Sequence, residues 1–137
     1  MIKEWTGLKV EQELEMTTAP IEKVQLVKYA GASGDFNLIH TDDETARRVK
    51  LPGVIAHGMI SMGVLGDFVS GIVGDKGFVK QLQVRFAGMV FPGESLTCRA
   101  KITKKDEEKQ IVELNISAET APGKFATIGT ATIQYNQ

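Results

Sequence analysis

The sequence predicts an α+β fold in which an antiparallel sheet wraps around one long central helix, in a single domain of residues 1–137. Two observations predict it. The segment from Gly58 to Ile72 is apolar nearly all round and rich in small residues, as is typical of an enclosed helix. The second half of the chain alternates apolar and polar residues in long runs separated by turn residues, as antiparallel strands do.

The central helix carries several glycines, each of which costs about 1 kcal/mol in a helix interior relative to alanine. A close approach of other backbone on several sides would offset that cost. The sequence therefore predicts that the sheet covers the glycine positions of this helix.

The first half of the chain predicts a short strand and two helices. Alternation from Val10 to Thr17 predicts the strand. Thr18 is the predicted N-cap of the next helix, and Gly31 is its predicted stop. Asp42 is predicted to cap a second, short helix from Asp43 to about Lys50. The first helix is predicted to bury an apolar face made of Ile21, Val24, Val27 and Ala30.

Four strands are predicted after the central helix. Their predicted faces are Phe78, Lys80, Leu82, Val84 and Phe86; Leu96, Cys98, Ala100 and Ile102; and Val112, Leu114, Ile116 and Ala118. Phe125 to Tyr135 is the last strand. The mixed charges of Lys104 to Lys109 predict a solvated hairpin tip, and Cys98 is predicted to be a packed thiol.

The composition of the chain limits the partners and the cellular location that we expect for it. The net charge of -1 gives no reason to expect nucleic acid or an anionic membrane as a partner. One cysteine excludes an internal disulfide and favours a reducing, cytoplasmic location. The first residues lack the apolar run of a secretory signal, and the most apolar stretch is too short to span a membrane comfortably.

The stretch from Tyr29 to His40 is the most informative for function. It places Asp35 and His40 five positions apart on a turn rich in glycine and asparagine. A base and an acid held on one short loop can act on one small target, as proton transfer requires. The same residues also allow a purely structural interpretation, in which Asp35 forms a turn and His40 is a histidine whose ring is hydrogen-bonded within the fold.

Gly58, at the predicted start of the central helix, supplies a third group. Adding water to a double bond conjugated to a carbonyl requires one group that takes a proton, one that delivers a proton, and a donor for the developing enolate oxygen. Asp35 and His40 suit the first two roles. The unpaired N–H of Gly58 at the positive end of the helix dipole suits the third.

Neighbouring residues are predicted to contact the substrate, namely Asn37, His57 and Met59. Asn37 either ties the loop down through its amide or holds the catalytic water. His57, just before a helix, is more simply a structural residue that hydrogen-bonds the loop. A metal site is not predicted, because no standard ligand spacing matches Asp35, His40, Asp42 and His57. No cofactor is predicted either.

Two blocks of the sequence resemble a known family. The stretch from Tyr29 to His40, with Ser33-Gly34-Asp35-Phe36-Asn37-Leu38-Ile39-His40 at its centre, resembles the hydratase signature of the MaoC-like (R)-specific enoyl-CoA hydratases. The run Ile55-Ala56-His57-Gly58-Met59 resembles their second block. Within the family, the likeness is greatest to the single-hotdog subunits of bacterial (3R)-hydroxyacyl-ACP dehydratases. Leu38 departs from the family pattern, which usually has proline, and Gly66 lies near a position where some members have serine.

The resemblance implies a hotdog fold and a hydro-lyase of fatty acid metabolism. Such an enzyme reversibly interconverts a (3R)-3-hydroxyacyl thioester and a trans-2-enoyl thioester, carried on CoA or on acyl carrier protein. It implies that Asp35 and His40 act on the water and the substrate protons, while the Gly58 N–H polarises the thioester carbonyl. It further implies a homodimer, or a heteromer with another hotdog subunit.

Two alternatives remain open at the level of sequence. Hotdog acyl-CoA thioesterases often have a carboxylate on the central helix, where this chain has Asp67. The loop with Asp35 and His40 has no evident role in that alternative. The chain could instead be an acyl-binding subunit of a heteromeric dehydratase, although it retains both catalytic residue types.

Overall fold

The computed structural model describes residues 2–137 and contains one antiparallel sheet and one long helix. The strands are β1 (Glu13–Thr17), β2 (Gly77–Phe86), β3 (Thr97–Asp106), β4 (Ile111–Ala121) and β5 (Lys124–Tyr135). The α-helices are α1 (Lys23–Ser33), α2 (Asp43–Arg48) and α3 (Gly58–Val73). Short 3-10 helices lie at Trp5–Gly7, Leu38–His40 and Gly74–Lys76.

The sheet has the strand order β1-β3-β4-β5-β2, and α3 packs against β2, β3, β4 and β5. This arrangement confirms the predicted α+β hotdog architecture. The alternating residues of β3 and β4 predicted to face inward are all buried, with exposed fractions of at most 2%. They meet Leu65, Phe68, Val69 and Ile72 of α3 in the core.

The predicted inward face of β2 is wrong at its start. Phe78 is 56% exposed, whereas its neighbour Val79 packs against the core. The pairing of β2 with β5 shifts register between Val79 and Gln81, which marks a β-bulge. A bulge inserts one extra residue and therefore exchanges the two faces of the strand. Beyond it, Leu82 and Val84 face the core as predicted, whereas Phe86 at the end of the strand is 51% exposed.

The predicted start of α1 is also wrong. The helix begins at Lys23, and Thr18 lies outside it. The Thr18 hydroxyl accepts a hydrogen bond from the Leu96 N–H at 3.0 Å, and the Ile21 N–H donates to the Glu94 carbonyl at 2.9 Å. The segment that was predicted to begin the helix therefore pairs with the approach to β3.

The end and the buried face of α1 differ from the prediction as well. The helix continues past Gly31 to Ser33, and Gly34 ends it with a left-handed φ of 79°. Of the four residues predicted to face inward, Ile21 and Ala30 are buried, with exposed fractions of 2% and 3%, whereas Val24 and Val27 are 58% and 52% exposed. Leu26 is the fully buried position of this helix.

The glycines of α3 are not all covered. A Cβ placed on Gly66 would lie 3.5 Å from the Leu82 side chain of β2. A Cβ placed on Gly63 or Gly71 would meet nothing within 4 Å. Within this chain α3 is therefore covered by the sheet on one side and open along Gly63 and Gly71, contrary to the prediction of enclosure on several sides.

The hairpin between β3 and β4 is not fully solvated. The Lys105 side chain is 14% exposed, and its ammonium donates to the carbonyls of Trp5 and Leu8.

Cys98 is a packed thiol as predicted. Burial raises the pKa of this thiol to about 11, with a smaller contribution from the charge of Asp67. Within residues 2–137, no helix combines the length and apolarity that crossing a membrane requires.

Candidate active site

The loop after α1 holds its shape through two side chains that cap their own backbone. The Asp35 carboxylate accepts a hydrogen bond from the Asn37 N–H at 3.2 Å. The Asn37 side-chain oxygen accepts one from the Ile39 N–H, also at 3.2 Å, and caps the 3-10 helix Leu38–His40. Asn37 thus ties the loop down through its amide, and the 3-10 helix fixes the direction in which His40 leaves the backbone.

His40 is 8% exposed, and only its Nδ1 has a hydrogen-bond partner within residues 2–137. Its Nδ1 lies 2.7 Å from the Ile55 carbonyl oxygen. Because a carbonyl only accepts, Nδ1 must carry the proton and donate it. In the neutral ring, Nε2 then holds a lone pair and can accept a proton.

His57 lies against His40 and forms the N-cap position of α3. The two imidazole rings stack with centroids 3.8 Å apart, and the Tyr29 ring meets His57 edge-on at 4.7 Å. His57 Nε2 donates to the Asp35 backbone carbonyl at 3.2 Å, so this residue holds the loop against α3. Its Nδ1 is buried and has no hydrogen-bond partner within residues 2–137.

Gly58 begins α3 directly after His57, so its N–H has no partner inside the helix. A Cβ added at Gly58 would lie 3.1 Å from the Phe86 ring of β2. The first turn is fixed by Ser61, whose hydroxyl donates to the Gly58 carbonyl at 2.9 Å and lies 2.7 Å from the Thr127 hydroxyl of β5. The helix start therefore has an N–H without an intrahelical partner, is packed closely by Phe86, and is anchored to the sheet through Ser61.

The structure brings Asp35, His40 and His57 together. One side-chain nitrogen or oxygen of each lies within 4.8 Å of the others. Each histidine donates one ring N–H to a backbone carbonyl and keeps its other ring nitrogen. The free nitrogen of His40 and the Asp35 carboxylate are therefore the groups of the cluster that can move a proton.

The short helix α2 follows the 3-10 helix that ends at His40, and its first residues bind neighbouring segments of the chain. Asp42 caps it by accepting from the Thr45 N–H, as predicted, and the Thr45 side chain and N–H hold the pKa of Asp42 below its ordinary value. The Asp43 carboxylate accepts from the Lys23 ammonium of α1 and from the Val54 N–H at 2.9 Å. These bonds lower the pKa of Asp43 and join α1, α2 and the segment that leads to His57.

Four contacts of the site were not anticipated from the sequence. They involve the Ile55 carbonyl, the Tyr29 ring, the pair of hydroxyls of Ser61 and Thr127, and the Phe86 ring. Met59, a predicted substrate contact, is 50% exposed beside Gly58. Asp67 does not join the cluster. It lies nine residues beyond Gly58 on α3, about 13.5 Å along the helix axis.

Known proteins are similar to this chain in sequence and in fold. Residues 3–121 match the family model described as MaoC like domain. The (R)-specific enoyl-CoA hydratase of Aeromonas caviae is 30% identical over 115 residues, which is 80% of this chain and 83% of that protein. The fatty acid synthase beta subunit TOXC of Cochliobolus carbonum is 33% identical over 77% of this chain. The chain spans only 5% of that subunit's length.

Solved structures agree. The unliganded R-hydratase of Pseudomonas aeruginosa superposes with a TM-score of 0.88 at 26% identity, covering 97% of this chain and 85% of that one. A MaoC-like dehydratase superposes with a TM-score of 0.89 at 31% identity, covering 98% of this chain and 43% of that one. The match of the family model over most of the sequence, together with these relatives, shows that the chain belongs to the MaoC-like domain family.

Proposed function

We propose that this chain is a hydro-lyase that reversibly adds water to a trans-2-enoyl thioester and forms the (3R)-3-hydroxyacyl thioester. The observation that carries the proposal is the cluster of Asp35 and His40 beside the free N–H of Gly58. The names of the Aeromonas caviae and Pseudomonas aeruginosa hydratases support the same reaction class. The thioester carrier is CoA or acyl carrier protein, and the reaction belongs to fatty acid metabolism.

The geometry supports a specific division of roles. The thioester carbonyl oxygen accepts from the Gly58 N–H, which stabilises the enolate that forms as water adds. His40 Nε2 takes one proton from the water while the water oxygen bonds to the β carbon. Asp35 accepts the second hydrogen of the water and orients it. The protonated imidazole then gives its proton to the α carbon, so the net change is the addition of one water molecule.

The first experiment measures hydration of crotonyl-CoA through the loss of the enone absorbance. The wild-type chain should consume the enone, and Asp35→Asn should lose activity by roughly 10²–10⁴-fold. Asp75→Asn is the matched control, because this exposed aspartate lies in the distant 3-10 helix Gly74–Lys76. Full activity in Asp35→Asn would contradict the assigned roles, and a chiral assay of the product tests the (R) configuration.

We also propose that two copies pair along β2. This strand of ten residues is at the edge of the sheet, and β5 is the only strand of the described residues that pairs with it. A long edge strand presents unpaired N–H and carbonyl groups that favour pairing with another strand. Phe78 adds an apolar side chain that is 56% exposed on β2.

Light scattering after size-exclusion chromatography tests the pairing. We expect a mass of twice the 14.9 kDa of one chain. Phe78→Asp should weaken the dimer, while Val49→Asp should not, since Val49 is equally exposed (57%) but lies on the C-terminal side of α2. A wild-type chain that is monomeric at all concentrations would refute the proposal.

We further propose that residues 1–137 act as one domain and that the protein is cytoplasmic.

A further inference from the structure

Two buried hydroxyls lie behind the first turn of α3. Ser61 of α3 and Thr127 of β5 have exposed fractions of 3% and 0%, and their hydroxyl oxygens lie 2.7 Å apart. The Ser61 hydroxyl donates its hydrogen to the Gly58 carbonyl at 2.9 Å. A hydroxyl carries one hydrogen, so Ser61 can only accept from Thr127, and Thr127 must donate. The hydrogen bonds therefore run in one direction, from Thr127 through Ser61 to the Gly58 carbonyl.

These hydrogen bonds end on a peptide group of the candidate active site. The Gly58 carbonyl shares its peptide group with the N–H of Met59, the second residue of α3. The N–H groups of Gly58 and Met59 both lie in the first turn and have no acceptor inside the helix. A hydrogen bond to the carbonyl of a peptide group polarises it and strengthens the bond that its N–H donates. The two hydroxyls thus make the Met59 N–H a stronger donor.

We propose that the Met59 N–H is a second donor to the thioester carbonyl oxygen, beside the Gly58 N–H, and that Ser61 and Thr127 are positioning residues for it. This inference rests on the proposed function. The first N–H groups of a helix point out of its N-terminal end, so two consecutive groups can meet one oxygen atom. The enolate oxygen carries more negative charge than the thioester carbonyl, and both donors therefore bind it more tightly in the transition state.

The peptide groups of the two donors are held in different ways. The Gly58 N–H shares its peptide group with the His57 carbonyl, which accepts from the Ile60 N–H at 3.0 Å. That contact joins two backbone groups and requires no particular side chain. The peptide group of the Met59 N–H is instead joined to the sheet by the hydroxyl of Ser61. The second donor therefore depends on the residue types at positions 61 and 127.

The stability of the fold does not require these two hydroxyls. A buried hydroxyl is unfavourable unless it is hydrogen-bonded. Replacing both partners of a buried hydrogen bond by apolar groups of similar shape is nearly neutral for stability, whereas replacing one partner leaves the other unsatisfied. Alanine and valine are such replacements for Ser61 and Thr127. The effects of the pair on stability and on catalysis can thus be separated by experiment.

The experiment measures kcat and KM for crotonyl-CoA, together with the Tm, for Ser61→Ala and for the double variant Ser61→Ala with Thr127→Val. In Ser61→Ala the Tm should fall, because the Thr127 hydroxyl loses its acceptor. In the double variant the Tm should return toward that of the wild type. In both variants kcat should be lower by roughly tenfold while KM changes less than about twofold, since the lost contact strengthens only in the transition state.

Ser70→Ala is the matched control, because Ser70 is an exposed serine near the other end of α3. Its kcat and Tm should equal those of the wild type. A second measurement reads the carbonyl directly, through the infrared band of bound butyryl-CoA labelled with ¹³C at the thioester carbon. This analogue has no double bond to hydrate. Binding to the wild type should lower the carbonyl frequency, and the lowering should be smaller in the double variant.

Two results would overturn the inference. One is a kcat that recovers together with the Tm in the double variant, because the hydroxyls would then act through stability alone. The other is an equal carbonyl frequency in the wild type and the double variant. Failure of the proposed function is distinguishable, because in that case the wild-type chain would leave the enone absorbance of crotonyl-CoA unchanged.

Discussion

The tautomer of His40 is the residue-scale feature on which the proposed chemistry depends. The Ile55 carbonyl, at 2.7 Å, holds the proton on Nδ1 and leaves Nε2 as the acceptor. The motif that contains Asp35 and His40 is local in sequence, and for this reason the sequence could predict that they meet. The partner that orients His40 lies fifteen residues away and is a backbone carbonyl. Every residue has such a group, so the residue types in the sequence could not identify this one.

The variant His40→Asn tests the role of Nε2 separately from that of Nδ1. The asparagine amide can keep the donor to the Ile55 carbonyl but has nothing in place of Nε2. We expect kcat for enoyl-CoA hydration to fall by roughly 10²–10⁴-fold, with a free energy of unfolding within about 1 kcal/mol of the wild type. Steady-state kinetics and urea unfolding measure the two effects. Activity within tenfold of the wild type would show that Nε2 is not the base.

Leu38 stands where the family pattern usually has proline, and the backbone is compatible with proline. Leu38 is the first residue of its 3-10 helix, where the N–H has no helical partner. The preceding residue, Asn37, has φ -59° and ψ 121°, which suits a position before proline. Leu38→Pro should therefore raise the free energy of unfolding by about 0.4–1 kcal/mol by restricting the unfolded chain.

Ile39→Pro is the matched control for that substitution. It removes the N–H that donates to Asn37, so it should lower both stability and activity. Urea unfolding and the hydration assay measure both variants. A destabilised Leu38→Pro would show that the loop needs a free backbone at this position.

At the scale of elements, the errors of prediction share one physical cause. Alternation placed the inward residues of β3 and β4 correctly, because burial there follows the period of two. It failed at the start of β2, where a bulge exchanges the faces, and at Thr18, which bonds to Leu96 seventy-eight residues away. In both cases the observed structure depends on contacts between distant parts of the chain. A pattern of neighbouring residues carries no information about such contacts.

Asp43 joins three elements and makes the fold sensitive to acid. The Lys23 ammonium and the Val54 N–H hold its pKa below the ordinary value of 3.8. The folded state thus binds this proton less readily than the unfolded state, so the stabilisation is complete above the unfolded pKa and is lost as pH falls through the folded pKa. Asp43→Asn should be less stable than the wild type at neutral pH and should lose less stability below about pH 4.

Urea unfolding at a series of pH values checks this expectation. The free energies of unfolding of the two proteins should converge as the solution becomes acidic. Parallel curves, with a constant difference at every pH, would show that the Asp43 carboxylate contributes no proton-linked stability.

At the scale of the whole molecule, the site is assembled from the loop after α1, the start of α3 and the sheet behind it. The sequence predicted the first two, because each has a compact motif. The link to the sheet runs through Ser61 and Thr127, which lie sixty-six residues apart and are both ordinary polar residues in sequence. The fold class could thus be predicted, whereas the contact that anchors the helix start required the structure.

The N-terminal segment is held to the sheet by Lys105. Its ammonium donates to the Trp5 carbonyl at 2.8 Å and the Leu8 carbonyl at 2.9 Å, and it lies 4.5 Å from the centroid of the Trp5 ring. Tyr135, at the end of β5, adds a bond from its hydroxyl to the Lys3 carbonyl and meets Trp5 edge-on at 5.5 Å. Residues 3–8, the end of β5 and the β3–β4 hairpin therefore meet at one place.

Lys105→Met keeps the length of the side chain and removes its three donors. Two carbonyls lose a charged partner, and the cation–π contact is lost, so we expect the free energy of unfolding to fall by about 2 kcal/mol. Lys104→Met is the matched control, because Lys104 is the exposed neighbour on the same strand and should change stability by less than about 0.5 kcal/mol. Urea unfolding measures both variants. The hydration rate should not change in either, since the described contacts of Lys105 involve no residue of the candidate active site. Equal stability of the two variants would show that the N-terminal segment does not depend on this lysine.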